Sequence, residues 1–215
     1  MTSAQKQVSL SEVKLLVACE YSGAVRDAFA AKGWNAWSCD ILPTESLGNH
    51  YQSDVLDVID NDWDLIIAHP PCTYLCSSGL HWNKRRPGRQ KQTDEALKFV
   101  SLFLNNKVKY LALENPIGCI SSQIRKPDQI IQPWQFGHPE SKSTCLWLKN
   151  LPKLTHTNVL SKPKCGYWDN QTPSGQNKLG PSSTRAKERS KTYEGFAAAM
   201  AEQWTNWIDE KESSH

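Results

Sequence analysis

A short apolar run, Val13-Lys-Leu-Leu-Val-Ala-Cys19, has the length of a strand buried on both faces of a parallel sheet, and Glu20-Tyr-Ser-Gly23 breaks it with a turn. Residues 24–32 follow with Val25, Ala28 and Phe29 on one helical face, and Gly33 stands where a C-cap would stop the helix. A second strand is predicted over 34–39, ending at Asp40, and 54–59 reads as a short helix or strand remnant. Trp63-Asp-Leu-Ile-Ile-Ala68 is a further strand that runs into His69-Pro-Pro-Cys72, where proline cannot continue a ladder. Residues 80–92 read as a polar, basic loop. Over 93–105 the positions Ala96, Leu97, Val100 and Leu104 predict a helix with Thr93 as its N-cap. Tyr110-Leu-Ala-Leu113 returns as a strand and ends at Glu114-Asn-Pro116. From 121 to 189 Pro, Gly, Asn, Ser and Lys are frequent, which predicts short strands and long loops. Helical spacing resumes over 190–207 with Phe196, Met200, Trp204 and Trp207, and the charged tail after Ile208 is expected to fray.

Strands alternating with helices predict an α/β fold, a Rossmann-like, doubly wound and mostly parallel sheet. Ligands of such sheets bind at the carboxyl ends of the strands. That rule collects Glu20 to Gly23, Asp40, Asp54, His69 to Cys72 and Glu114 on one rim. The 215 residues suit one domain spanning 1–215, with an irregular region at about 150–189.

Composition adds little of its own. The 25 Lys and Arg against 22 Asp and Glu leave a net charge of +3, too small to announce a nucleic-acid partner except through local clustering. Seven cysteines, an odd number without paired metal-ligand spacing, speak against a disulfide framework and a metal site, and for a reducing compartment. Without a signal peptide or an apolar run of membrane-spanning length, the protein is expected in the cytoplasm with no membrane partner. A monomer is the working expectation. Most of the nine tryptophans suit packing, a minority base stacking.

Taken in order, Val17-Ala-Cys-Glu-Tyr-Ser-Gly23, Asp40, Asp54, the Pro-Pro-Cys turn and Glu-Asn-Pro116 resemble the motif series of DNA cytosine-5 methyltransferases. The resemblance implies a sheet of the S-adenosylmethionine-dependent methyltransferase type, with that molecule as cofactor and a flipped cytosine in DNA as substrate. It places Glu20, Tyr21, Ser22 and Gly23 at the methionine part of the cofactor, although only one glycine stands where the family usually has two. Asp40 would bind the ribose hydroxyls and Asp54 the adenine edge. A loop-forming acid and a helix N-cap are the plainer readings of those two residues. Pro70 and Tyr193 would line the same pocket, the latter from Ser190-Lys-Thr-Tyr-Glu-Gly195, which resembles the family's last motif together with Thr192 and Gly195.

Cys72 matches the family's nucleophile. Carbon 5 of cytosine is too weak a nucleophile to take a methyl group directly, so a thiolate adds to carbon 6 first. Glu114 matches the carboxyl group that meets N3 of the base and makes carbon 6 more electrophilic. Phe136-Gly-His-Pro-Glu-Ser-Lys-Ser-Thr144 resembles a further motif, with Lys142 and Thr144 where the family carries arginines, and Lys142 would assist at the flipped base.

The basic run after Cys72 contributes Lys84, Arg85, Arg86 and Arg89 as expected phosphate contacts, and Arg185 and Arg189 form a second strip. Only 150–189 is left for reading a target, so specificity should be short or low, a plan that phage-encoded enzymes would fit. Three other functions compete, one of them chemistry on a free nucleotide or a modified base. An amino methyltransferase on cytosine N4 or adenine N6 also uses a Pro-Pro turn, though with an aromatic residue in place of Cys72. A DNA-binding protein of the same fold that has lost turnover would keep the surface and not the chemistry.

Overall fold

A computed structural model describes residues 10–179 and 190–213. Seven strands form one sheet: β1 (Lys14–Ala18), β2 (Asn35–Asp40), β3 (His50–Gln52), β4 (Leu65–Ala68), β5 (Tyr110–Pro116), β6 (Gln129–Ile131) and β7 (Thr144–Lys149). Their order is β3-β2-β1-β4-β5-β7-β6. The first five pair in parallel, and β7 lies antiparallel between β5 and β6. The fold is α/β and Rossmann-like.

Alternation along β1 builds both layers. Leu15 and Val17 face a core made with α1 (Ala24–Ala30) and α5 (Glu194–Glu212), through Val25, Phe29, Phe196, Met200 and Trp204. Leu16 and Ala18 face the opposite core, closed by Val100 and Phe103 of α3 (Arg89–Leu104). α2 (Ser77–Leu80) and α4 (Ile120–Gln123) are single-turn helices.

Several boundaries differ from the sequence pattern, and most have a local reason. α1 stops at Ala30, two residues short of the predicted end, and Gly33 closes it as expected: at φ +94° its amide donates to the Ala30 carbonyl at 2.9 Å and the Trp34 amide to Phe29 at 3.3 Å. Residues 80–92 are not a loop: α2 passes into a 3-10 turn over His81–Lys84, and α3 starts at Arg89 behind the left-handed Gly88. Thr93 is therefore an interior residue of α3, 2% exposed, whose hydroxyl donates to the Tyr74 carbonyl at 3.0 Å. The first turns of α3 are polar and solvated, which hid them from a search for apolar spacing. β5 runs on through Glu114 and Asn115 because β7 pairs with them, and Pro116 is the terminal, one-sided residue where proline is tolerated. α5 continues to Glu212 because that carboxylate is held by Lys109 Nζ at 2.5 Å and Tyr110 Oη at 2.9 Å.

Between β3 and β4 the chain makes only a 3-10 turn, Val55–Asp57. The stacked pair Trp37 and Tyr51 is consequently half-buried, and with Lys14, Asn35 and Trp63 it lines a cavity of about 240 Å³ at the amino ends of the strands. The predicted rim lies at the other end. No helix among the described residues is long and apolar enough to cross a membrane.

Candidate active site

The first turn is built around Glu20. This side chain is 4% exposed and accepts from the Val25 amide at 2.7 Å and the Arg26 amide at 3.2 Å, the open amino end of α1. Burial pushes its acidity down despite those donors and the nearby His69. Tyr21 is also buried, its hydroxyl 3.2 Å from Ser190 Oγ, and Ser22 donates to Glu20 at 3.4 Å. Gly23 takes φ +77°, and a Cβ there would sit 2.1 Å from Ser46 Oγ. These side chains thus hold the turn together and leave mainly its backbone to face a ligand.

Behind Gly23 lies Arg26, 1% exposed, which the sequence did not single out. Its guanidinium donates to Asp27 at 2.7 Å, Ser38 at 3.1 Å, Thr44 at 3.1 Å and Ser46 Oγ at 2.6 Å. One arginine thereby ties α1 to β2 and to the loop that follows Asp40. Nothing in a local pattern marks an arginine between Val25 and Asp27 as buried.

Asp40 ends β2, and one oxygen accepts from the Leu42 amide at 2.9 Å. Asp54 caps the 3-10 turn through the Leu56 amide at 3.0 Å, so its plainer reading is realised. The second oxygen of each has no hydrogen-bond partner among the described residues. Both acids act on the half-buried Cys19 thiol, whose acidity is suppressed first by loss of solvent and then by Asp40, Cys39 and Asp54. Ile41 and Leu56, close to the two acids in sequence, are 74% and 47% exposed. The sequence pattern gave no reason to mark them, because only their exposure is unusual.

At the end of β4 the His69 amide donates to the Ala18 carbonyl at 2.9 Å, and Pro70 is buried with its carbonyl accepting from Asn115 Nδ2 at 2.7 Å. Cys72 then opens a helical turn, its carbonyl accepting from Leu75 at 3.0 Å and Cys76 at 2.9 Å. The half-buried thiol is held protonated. A hydrogen bond with the Cys76 thiol, burial and the Glu114 charge all suppress ionisation, and Lys142 opposes them. Glu114 lies 3.0 Å from His69 Nδ1. Burial pushes its carboxyl up, but the His69 hydrogen bond and the charges of Lys142 and His69 outweigh that and leave it below the usual carboxylate range. An ionised carboxylate only accepts, so Nδ1 carries the hydrogen.

Lys142 comes from the segment before β7. Its amide donates to Gln132 Oε1 at 3.0 Å, and its ammonium stands 5.7 Å from the Tyr193 ring centre. Tyr193, the N-cap of α5, donates its hydroxyl to Glu140, and the Gly195 amide donates to His138 Nε2 at 2.9 Å. Segment 138–142 is in this way stitched to the start of α5. Cys72, Glu114 and Lys142, predicted from three separate stretches, meet on the rim. Asn115 and Gln132 join them without having been marked, and His69, expected on the rim, is there joined to Glu114.

Lys84, Arg85 and Arg86 are exposed in the turns that follow α2, and the Arg86 guanidinium covers Trp82 at 4.1 Å. Arg89 is turned inward instead, donating to the Thr73 carbonyl at 2.7 Å and stacking on Tyr74 at 4.2 Å. It supports the Cys72 turn and is less available to phosphate than its neighbours. Arg185 and Arg189 lie outside the described residues. Among the described residues no group of three or more His, Cys, Asp or Glu is placed to hold a metal ion. No protein-family model matches the chain, and no curated protein matches it.

Proposed function

We propose that this protein is an S-adenosylmethionine-dependent DNA methyltransferase that acts on carbon 5 of cytosine, with Cys72 as its nucleophile. The observation that carries the reading is the meeting of Cys72, Glu114 and Lys142 at the carboxyl ends of β4 and β5, where the charges of Glu114 and Lys142 both act on the Cys72 thiol. The strand order is compatible with the sheet that the sequence resemblance implies.

The acceptor pair on the rim fits the cofactor. Asp40 would take the ribose hydroxyls and Asp54 the adenine amino group with their second oxygens, while exposed Ile41 and Leu56 offer apolar surface to a flat ring. The backbone of 20–23, Pro70 and Tyr193 would close the methionine end. Bound there, S-adenosylmethionine supplies an electrophilic methyl group for carbon 5.

The chain's own residues do the rest. Cys72 gives up its proton to water together with the Cys76 contact, and Sγ bonds to carbon 6 while the electron pair of the ring double bond moves onto carbon 5. Glu114 accepts from the exocyclic amino group and holds the base by that edge. Lys142 favours the thiolate. Water then takes the carbon 5 proton, and the electron pair of that bond re-forms the ring double bond as the bond to Sγ breaks and Cys72 leaves as thiolate. Lys84, Arg85 and Arg86 grip phosphates as the base leaves the stack.

The suppressed acidity of Cys72 is the observation that favours a second reading, an amino methyltransferase on cytosine N4 or adenine N6, which needs no thiolate. Nucleoside mass spectrometry after incubation of unmethylated DNA with S-adenosylmethionine decides between them. 5-Methylcytosine from the wild type and none from Cys72→Ala is the expected result. Methylated amino groups, or product that survives the substitution, would establish the second reading, and no product from either protein would favour a binding protein.

A further inference from the structure

Of the polar residues on the rim, His69 has the most distinctive surroundings. Its side chain is 7% exposed, and it occupies the first position after β4, between the turn that ends β1 and the inner residues of β5. Nδ1 is engaged with Glu114 Oε2 at 3.0 Å. Nε2 is buried and has no hydrogen-bond partner among the described residues. A buried polar atom left unpaired costs about 1–3 kcal/mol, so the ring is not placed there for its own stability. The charged groups that face it are Glu114 from β5 and Glu20 from the first turn, and Lys142 from the segment before β7 acts on Glu114 from its own side.

We propose that His69 is the positioning residue of Glu114: its Nδ1 hydrogen fixes one carboxylate oxygen, so that the other is presented as an oriented acceptor to the bound base. The role rests on the methyltransferase reading for its purpose, but not for its physical basis. A glutamate side chain has three rotatable bonds, and its terminal torsion is broad. One charge-assisted hydrogen bond to a ring locked behind two prolines removes most of that freedom. Cys72 lies three residues further along the same segment, so nucleophile and carboxylate are referred to a common point. No proton needs to move in this scheme. The imidazole works by geometry and by keeping Glu114 ionised.

The two ring nitrogens can be tested separately, because an asparagine amide nitrogen replaces Nδ1 and a glutamine amide replaces Nε2. The experiment follows the Glu114 carboxyl carbon by NMR in protein labelled at glutamate, the signal being assigned by its loss in Glu114→Gln. His69→Asn should leave the midpoint near that of the wild type, whereas His69→Gln and His69→Ala should move it upward. Methyl transfer should follow the same order. A displacement of the reacting groups by about 1 Å can cost roughly 100-fold, so kcat should fall on that scale in the Gln and Ala variants, with cofactor affinity by calorimetry unchanged, and recover most of the way in His69→Asn. A Glu114 midpoint that stays put in folded His69→Gln would overturn the proposal, as would equal kcat losses in the Asn and Gln variants. If the midpoints move as expected while the wild type modifies no DNA, His69 still positions Glu114 and the methyltransferase reading fails instead.

Discussion

The side-chain amide of Asn115 donates to the carbonyl oxygen of Pro70 at 2.7 Å, with Asn115 only 1% exposed. This bond ties the inner end of β5 to the turn two residues before Cys72. Asn115→Ala should leave the Pro70 carbonyl unpaired and cost about 1–3 kcal/mol. Asn115→Asp should cost more, because it sets a carboxylate against a carbonyl. Thermal melts give the ranking, and activity at a permissive temperature should fall in both variants as the turn loosens.

Cys76 is the first restraint on the Cys72 thiol. Cys76→Ala removes it, so Cys72 becomes the stronger acid of the two proteins, and each unit of change multiplies the thiolate fraction about tenfold. Alkylation of Cys72 by iodoacetamide near pH 8, followed by peptide mapping, should be several-fold faster in the variant. The map is needed because Cys165 is exposed and reacts regardless. Slower or equal labelling would mean that burial alone protects the thiol.

Glu114 is held below the usual carboxylate range in the folded protein. An acid whose pKa is depressed by folding stabilises the fold above its unfolded value, and that contribution is lost as pH falls through the folded value. Between pH 6 and pH 3 the wild type should therefore lose more unfolding free energy than Glu114→Gln. Urea titrations of both proteins across that window measure the difference.

Among the basic residues, the geometry separates two kinds of effect. Substituting exposed Lys84, Arg85 or Arg86 by Ala should lower DNA affinity with no change in thermal stability, and each lost phosphate contact should reduce the slope of log K against log salt by about 1. Arg89→Ala should instead lower the melting temperature, since it removes the bond to Thr73 and the stacking on Tyr74. An Arg89 variant of unaltered stability and reduced salt slope would return that residue to the DNA surface.

Much of the sheet was legible because β1, β4 and β5 are short apolar runs and turn residues follow each of them, and the rim followed from the rule for such sheets. Cys72, Glu114 and Lys142 were legible as motif residues. What stayed hidden is relational. Glu20 and Tyr21 look like ligand contacts in the sequence because they sit in the right turn, but only packing reveals that they face inward. Arg26 has no local signature, and the importance of His69 depends on Glu114, which lies far along the chain. The start of α3 was missed because its first turns carry no apolar stripe, and the end of α5 because the contact of Glu212 with Tyr110 is long-range.

The layer that packs Leu15 and Val17 against Phe196, Met200 and Trp204 joins the first strand of the chain to its last helix. During synthesis β1 leaves the ribosome long before its covering helix exists. At about 5–20 residues per second the delay is roughly 10–35 s. Through that interval one side of the nascent sheet remains open and sticky, and the domain can close only after α5 emerges. Production of this protein should accordingly respond to holdase chaperones and to slower growth temperature, and truncations within α5 should yield insoluble chains, not smaller working ones.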